Sequence, residues 1–320
     1  MVTPQWEEAT CPLCGIPPQM TRLDRVRDWS QRSAARYTYK ACRNCGLVLL
    51  SPRPAASAIE HYYPADYPPH LRQGESSAKR RFVRALLERL VDARFPRPTV
   101  SVVTLGRRPR ILDIGCGSGG YLKRRASQGW EVWGVESDPD AANLAQQEVG
   151  VPAIHVGTLD AAAPCLPRNY FDLVALHDVL EHLHNPLAAL RLAHDLVTLD
   201  GLVEVLTPDV DSLESRAFRS NWFSVEAPRH IQLFSKATLQ VTFGRAGLRV
   251  VAMRPTSIPT FALVSLENVL SERLHRRVCF DRLTRAGVFA ALAPLTLSTA
   301  MLSGSGSSLW VWGTKASGTC

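Results

Sequence analysis

One run of eleven residues constrains the fold of this chain more than any other: Arg110-Ile-Leu-Asp113-Ile-Gly115-Cys-Gly117-Ser-Gly119-Gly120. It reads as a buried strand running into a glycine turn, with Tyr121-Leu122-Lys123 opening a helix behind it. Glycine reaches backbone angles that a side chain forbids, so such a turn lets main chain approach a bound ligand closely. About twenty residues on, Glu131-Val-Trp-Gly-Val-Glu136 gives a second strand ending in a carboxylate. An acid at that spacing can accept both hydroxyls of a ribose. No Lys-Ser/Thr pair follows the glycines, which excludes a triphosphate P-loop.

A pyrophosphate site favours G-x-G-x-x-G with a helix N-terminus aimed at phosphate. Here the glycines alternate, and Asp113 stands two residues before the first. A carboxylate facing the ligand repels pyrophosphate and suits a molecule carrying an ammonium and a sulfonium. These residues resemble the first motif of the class I S-adenosylmethionine-dependent methyltransferases, acid-x-Gly-x-Gly-x-Gly. Phe171-Asp172-Leu-Val-Ala-Leu-His177-Asp178-Val-Leu-Glu181-His182 looks like that family's fourth strand and its active-site end, and Gly201-Leu-Val-Glu-Val-Leu-Thr-Pro208 like its fifth. The resemblance implies an α/β fold with a seven-stranded Rossmann-like sheet. It also implies S-adenosyl-L-methionine as cofactor, held by Asp113, Gly115, Gly117, Gly119 and Glu136. Thr158 and Leu159, after the third strand, are expected to flank the adenine, and His177 to line the methionine part.

Strand-like patterns recur at 110–114, 131–136, 153–157, 171–176, 202–206, 248–253 and 308–314, separated by helical ones. The last alternates cleanly and is expected to be antiparallel, near the sheet edge. The catalytic domain is therefore read as 101–255 and 307–317. Residues 1–50 form a separate small module. Cys11-Pro-Leu-Cys14-Gly15 and Cys42-Arg-Asn-Cys45-Gly46 are two knuckle turns whose four thiolates match structural, tetrahedral zinc. Such a site has no open position and would staple a segment too short to bury a sizeable core. Two unrelated redox Cys-x-x-Cys pairs are the competing reading. Residues 51–100 form a linker with the aromatic run His61-Tyr62-Tyr63, then Asp66-Tyr67, and an amphipathic basic helix over 78–95.

A helical insertion, 256–306, precedes the last strand. Its Ala286–Leu302 stretch carries no charge and holds Pro294 in the middle, which is short for a membrane span and interrupted by a helix breaker. Arg273, Arg276, Arg277, Arg282 and Arg285 precede it. Two readings stay open: a cover over the substrate cleft, or an interfacial segment touching anionic lipid.

Apolar content of 46% and charged content of 21% are ordinary for a globular chain. The net charge of +8 is local, since 72–110 holds eleven Arg/Lys against three acids and the rest is nearly balanced. A solvated linker helix, a phosphate-binding face and a membrane-surface face all fit that stretch. The opening Met-Val-Thr-Pro-Gln-Trp-Glu-Glu lacks the pattern of a secretory leader, and a cytoplasmic location, with peripheral membrane contact through 256–306 left open, is expected.

Methyl transfer from a sulfonium needs the acceptor held in line with the methyl and water kept out. A hydroxyl acceptor must also lose or share its proton. Asp178, Glu181 and His182 cluster after the fourth strand, where a helical first turn would put i, i+3 and i+4 on one face. His230 follows on a loop entering a helix. The set resembles small-RNA 2′-O-methyltransferases and ubiquinone-pathway O-methyltransferases, in which similar residues hold a divalent ion. Three readings stand: Mg2+ or another divalent ion at Asp178, Glu181, His182 and His230; metal-free acid/base work by His182 or His230; or structural bracing. Asp178 is shorter than the Glu common there.

The whole arrangement resembles bacterial zinc-ribbon-bearing class I methyltransferases that modify glycans, lipids and secondary metabolites. It implies methyl transfer to a hydroxyl, or to a carbon, of a sugar-containing, lipid-linked or small-molecule acceptor. An RNA methyltransferase binding nucleic acid through 72–110, and a non-catalytic binding protein on the same fold, are the competing expectations.

Overall fold

The computed structural model describes residues 5–29, 35–64, 94–98, 106–150 and 153–316. Asp66 and Tyr67, nearly all of the basic helix expected over 78–95, and much of the 72–110 charge excess lie outside the described residues.

The first part of the chain is made of short strands: β1 (Trp6–Glu7), β2 (Met20–Arg27), β3 (Arg36–Ala41), β4 (Val48–Leu50) and β5 (Arg53–Pro54). β2, β3 and β4 pair antiparallel, as do β1 and β5. The two cysteine turns repeat one hydrogen-bond pattern. Cys11 N–H donates to the Ile16 carbonyl and Cys42 N–H to that of Leu47, both at 2.9 Å. Gly15 (φ 70°) and Gly46 (φ 80°) close the turns in left-handed backbone, which explains glycine directly after each second cysteine.

From Arg110 onward strand and helix alternate: β6 (Arg110–Ile114), α1 (Gly120–Ser127), β7 (Glu131–Glu136), α2 (Pro139–Val149), β8 (Ile154–Val156), α3 (Leu159–Ala162), β9 (Phe171–His177), α4 (Pro186–Leu196) and β10 (Val197–Pro208). There follow α5 (Leu213–Phe218), β11 (Gln232–Leu233), α6 (Lys236–Arg245), β12 (Leu248–Thr256), α7 (Pro259–Arg273), α8 (Arg282–Ser303) and β13 (Ser308–Lys315). Seven of these strands form one sheet in the order β12-β13-β10-β9-β6-β7-β8, with β13 antiparallel to both its neighbours. These are the seven strands the sequence pattern predicts. Central β9 is buried along Phe171–Leu176, the continuous apolar run required of a strand covered on both faces. Its one acid, Asp172, is clamped by Arg107 at 2.8 and 2.9 Å and by the Arg110 N–H at 2.8 Å. The chain leaves β6 towards β7 on one side and returns as β9 on the other, so the ends of β6 and β9 flank the crevice where such sheets bind ligands.

The cysteine region is not closed on itself. β11, from the other end of the chain, pairs with β4 and completes a sheet ordered β11-β4-β3-β2. Cys11, Cys42, Leu47 and Leu49 share a buried cluster with Leu187, Phe234 and Leu239. Tyr39, Val48 and Leu50 share another with Trp222, Val225 and Ile231. The two parts are one packed body.

The insertion is two helices, α7 and α8, as expected. α7 packs on the 221–225 segment: the Phe223 and Phe261 rings are 4.9 Å apart, and the Phe223 N–H donates to Ser265 Oγ at 2.9 Å.

Candidate functional site

The glycine loop is shaped by what surrounds it. Gly115, Gly117 and Gly119 all have positive φ. A Cβ on Gly115 would lie 2.6 Å from Val179 Cγ2, and one on Gly119 would lie 2.8 Å from the Ala145 backbone. Both positions therefore need glycine for conformation and for space. Glu136 accepts the Gly117 N–H at 2.8 Å and the Asp138 N–H at 2.9 Å, so it ties the loop to the end of β7. Asp113, at the end of β6, is buried, and its Oδ1 has no hydrogen-bond partner among the described residues. Burial lifts its carboxyl to about 7, against the downward pull of His177. Thr158 caps α3 by accepting the Ala161 N–H at 3.3 Å, and Leu159 starts that helix.

His177 belongs to a buried polar network that the pattern reading overlooks. Its Nε2 lies 2.8 Å from Glu204 Oε1, which also accepts the Tyr121 hydroxyl at 2.8 Å, while Glu204 Oε2 accepts the Trp312 indole N–H at 2.7 Å. Burial opposes the charge on Glu204, but the His177, Trp312 and Tyr121 bonds win and hold it at about 2. Burial likewise lowers His177, and the bond to Glu204 more than reverses this, so its value is raised. The available signal was an acid inside the apolar run of Gly201-Leu-Val-Glu204-Val-Leu.

Beyond β9 the chain turns sharply. Asp178 adopts φ 53°, and the following Leu180–His182 is a 3-10 turn in place of a regular helix start. The i, i+3, i+4 face expected of the acids and His182 therefore does not form. Glu181, His182 and His230 converge, each offering one ligand atom within 4.8 Å of the others, and Asp178 stands outside this group. Asp178 is exposed at one side and surrounded by protein on the others, and this desolvation lifts its carboxyl to about 6. Glu181 is fully buried. One oxygen accepts the Thr207 hydroxyl at 2.9 Å, and the other has no hydrogen-bond partner among the described residues. Burial, then the Asp178 charge, push its carboxyl far up.

The histidine tautomers follow from their partners. His230 Nδ1 lies 2.8 Å from the Ser224 carbonyl, and His182 Nδ1 lies 3.1 Å from the Arg229 carbonyl. A carbonyl only accepts, so His230 Nδ1 carries the proton and its Nε2 keeps a lone pair, whereas His182 Nδ1 faces both the Arg229 carbonyl and the Tyr63 hydroxyl, which can donate or accept. Burial also keeps His230 neutral by lowering its value. Glu226 Oε2 lies 3.4 Å from His230 Nε2.

The cysteine region holds these histidines in place. Leu50 N–H donates to the Ile231 carbonyl at 3.0 Å, and the Tyr39 hydroxyl donates to the His230 carbonyl at 2.7 Å. Arg229, almost wholly buried, bonds both oxygens of Asp28 at 3.1 and 3.2 Å and Glu226 at 3.0 Å. The Tyr63 hydroxyl sits 2.9 Å from His182 Nδ1. Tyr39, Asp28, Tyr63, Glu226 and Arg229 are thus site residues the motif reading leaves without a role.

The four sulfurs of Cys11, Cys14, Cys42 and Cys45 lie within 4.8 Å of one another, with Cys11 and Cys45 Sγ 3.6 Å apart. Tetrahedral zinc with Zn–S bonds of about 2.3 Å separates its sulfurs by about 3.8 Å, so the set fits that ion. Burial raises the thiols of Cys11 and Cys45, whereas backbone N–H bonds from Cys45 and Asn44 outweigh it at Cys42 and lower that one.

A sequence profile of the family described as "Methyltransferase domain" matches residues 77–253. A ubiquinone biosynthesis O-methyltransferase of Vibrio cholerae is 33% identical over 98 residues, covering 29% of this chain and 40% of that protein. One from Azorhizobium caulinodans is 29% identical over 181 residues, covering 53% of this chain and 68% of the other. Among solved structures, a SAM-dependent methyltransferase from Archaeoglobus fulgidus is 20% identical with a TM-score of 0.46, covering 74% of this chain and 94% of that one.

Proposed function

Because the chain belongs to the methyltransferase-domain family, we propose that it transfers the methyl of S-adenosylmethionine to a hydroxyl of a sugar-containing or other small-molecule acceptor. The observation that carries this is the convergence of Glu181, His182 and His230 beyond the end of β9, the strand beside the glycine loop of β6. In this reading Asp113 faces the cationic amino-acid end of the cofactor, Glu136 its ribose, and Thr158 and Leu159 its adenine. The similarity to ubiquinone biosynthesis O-methyltransferases supports oxygen over carbon as the acceptor atom.

An in-line displacement makes the oxygen–methyl bond as the sulfonium–methyl bond breaks, leaving S-adenosylhomocysteine neutral at sulfur. The acceptor hydroxyl gives up a proton in the process. His230 presents an unprotonated Nε2 that can take it, and its Nδ1–H bond to the Ser224 carbonyl keeps the ring oriented. His182 is the second imidazole beside it, the two ring centroids 4.6 Å apart. Glu181, with one oxygen unpartnered, and the two imidazoles also form a donor set for a divalent ion. When bound, such an ion would lower the pKa of a coordinated hydroxyl. One carboxylate and two imidazoles suit a borderline ion better than Mg2+, which prefers oxygen shells. Structural zinc in the four thiolates completes the proposal.

The test is methyl-labelled S-adenosylmethionine offered with catechol and with a set of free glycosides. The expected product is an ether that resists base. Label recovered on nitrogen, or enzyme that binds no S-adenosylhomocysteine, would overturn the reading. Activity unchanged by chelator and by His230→Ala would remove the divalent ion.

A further inference from the structure

α8 is apolar around most of its circumference and yet largely uncovered. Its most apolar stretch of 18 residues has a mean hydropathy of 1.6 and is only 12% buried. Leu283 is 84% exposed, Leu302 87%, Leu295 59%, and Leu274 at the α7 end 53%. A helix of that composition is ordinarily a core helix or one in contact with lipid. So much exposed apolar side chain on one element points to an interaction surface.

Charge selects the partner. Arg273, Arg276, Arg277 and Arg282, around the α7–α8 turn, are exposed and have no ion-pair partner among the described residues. The carboxylates nearby are engaged. Asp281 caps α8 by accepting the Leu283 and Thr284 N–H groups, Glu272 accepts from Asn221, and Glu267 takes Arg285 at 3.3 Å. Free guanidinium groups beside exposed leucines match a surface of phosphate headgroups over acyl chains.

A spanning role is excluded by how the ends are tied. At about 1.5 Å per residue, the 22 residues of α8 reach about 33 Å, but both ends return to the same body. Arg285 near one end is paired to Glu267 of α7, and past the other end Ser307 Oγ accepts the Ile258 N–H at 3.0 Å beside β12. A helix tied in this way can meet a bilayer only from its surface.

We infer that the α7–α8 hairpin docks this protein on the surface of an anionic membrane, with Leu274, Leu283 and Phe289 entering the headgroup boundary and the free arginines on lipid phosphate. α7 packs on the 221–225 segment, whose Ser224 carbonyl holds His230. Docking would therefore bring the acceptor side of the cleft towards the lipid and favour a lipid-linked acceptor. The docking itself does not depend on the proposed chemistry.

The experiment is vesicle flotation of the full chain with phosphatidylcholine alone and with phosphatidylcholine containing phosphatidylglycerol. The wild type should float with the anionic vesicles, stay behind with neutral ones, and release at high salt. Arg276→Glu with Arg277→Glu should weaken binding by roughly 30-fold or more, at about fivefold for each arginine lost. Leu283→Ser with Phe289→Ser should weaken it as well, and both variants should bind S-adenosylhomocysteine as the wild type does. Absence of wild-type flotation overturns the inference without any variant. So does a wild-type dimer that Leu283→Ser dissolves, because a second copy would then be the cover.

Discussion

Cofactor affinity should fall tenfold as the pH drops from 8 to 6, and Asp113 is the reason. In the free protein its carboxyl is lifted to about 7 by burial. A ligand ammonium needs the ionised form, so binding must first remove a proton from whatever fraction is neutral. The pKa is raised, so affinity is complete above about 7 and is lost as the pH falls through that value. About nine-tenths of the carboxyl is ionised at pH 8 and about one-tenth at pH 6, which is close to 1.4 kcal/mol of binding free energy. His177, whose value is raised by Glu204, repels a cationic ligand wherever it is protonated, so its contribution has the same sign. Calorimetric titration with S-adenosylhomocysteine, run in two buffers of different ionisation enthalpy, reads both affinity and protons. At pH 6 nearly one proton per site should be released. Asp113→Asn should bind about 10- to 100-fold more weakly at pH 8, the loss of one hydrogen bond to a charged group, and should show a flatter pH profile. Equal wild-type affinity at pH 6 and pH 8, with no proton released, would refute the placement of this carboxylate against the ligand's cation.

Gly119→Ala places a side chain 2.8 Å from the Ala145 backbone at φ 81°, and should cost about 2–4 kcal/mol in urea unfolding while weakening cofactor binding. Arg229→Met takes a buried guanidinium away from Asp28 and Glu226 and should cost about 3–5 kcal/mol in the same unfolding assay; a loss under about 1 kcal/mol would contradict this. For Glu204→Gln, the wild-type advantage should peak between about pH 4.5 and pH 6.5. Below that window the advantage is lost as the pH falls towards 2, because the unfolded glutamate takes up a proton that the folded Glu204, held at about 2, does not; above it the stabilisation of His177⁺ fades as the pH rises through its raised value. Denaturant curves across pH 3–9 would show any other shape.

The sheet was legible because its information is local. β6, β7 and β9 are runs of apolar residues bounded by glycine or charge, and the run Phe171–Leu176 has only one state that buries all of it. The cysteine turns were legible for the same reason, as were the glycines whose φ values are positive. Asp178 shows where local reading stops. A single residue in left-handed backbone breaks the helical face that the spacing to Glu181 and His182 implies, and nothing in Asp-Val-Leu-Glu-His announces it. Glu204 was hidden because its partners, His177, Tyr121 and Trp312, lie on three other elements. Pairing of β4 with β11 was hidden too: two residues carry no strand signal, and their partners lie far along the chain, Leu49 against Gln232, 183 positions away.

That pairing changes what the cysteines are for. A metal staple on an independent module would affect stability alone, but here the sheet that carries the cysteine turns pairs directly with the segment after His230. β4 is separated from Cys45 by two residues, and its Leu50 N–H holds Ile231, while Tyr39 of the adjoining β3 holds the His230 carbonyl. If the four thiolates bind zinc, removing it frees β4, and the His230 loop loses one wall. The glycine loop and Asp113 hang instead on β6, β7 and α2, which do not touch the cysteine turns through hydrogen bonds among the described residues. Cys42→Ser should therefore lower methyl transfer by about fivefold while leaving S-adenosylhomocysteine affinity within about twofold, since a hydrogen bond's worth of looseness on one side costs about 1 kcal/mol there and little at a distant site. Tyr39→Phe, which keeps the cysteines and deletes one bond to the His230 carbonyl, should fall in the same direction by a smaller amount. Equal losses of cofactor affinity and of turnover in Cys42→Ser would mean that the whole body loosens together, and the cysteines would then serve the fold without serving the acceptor side in particular.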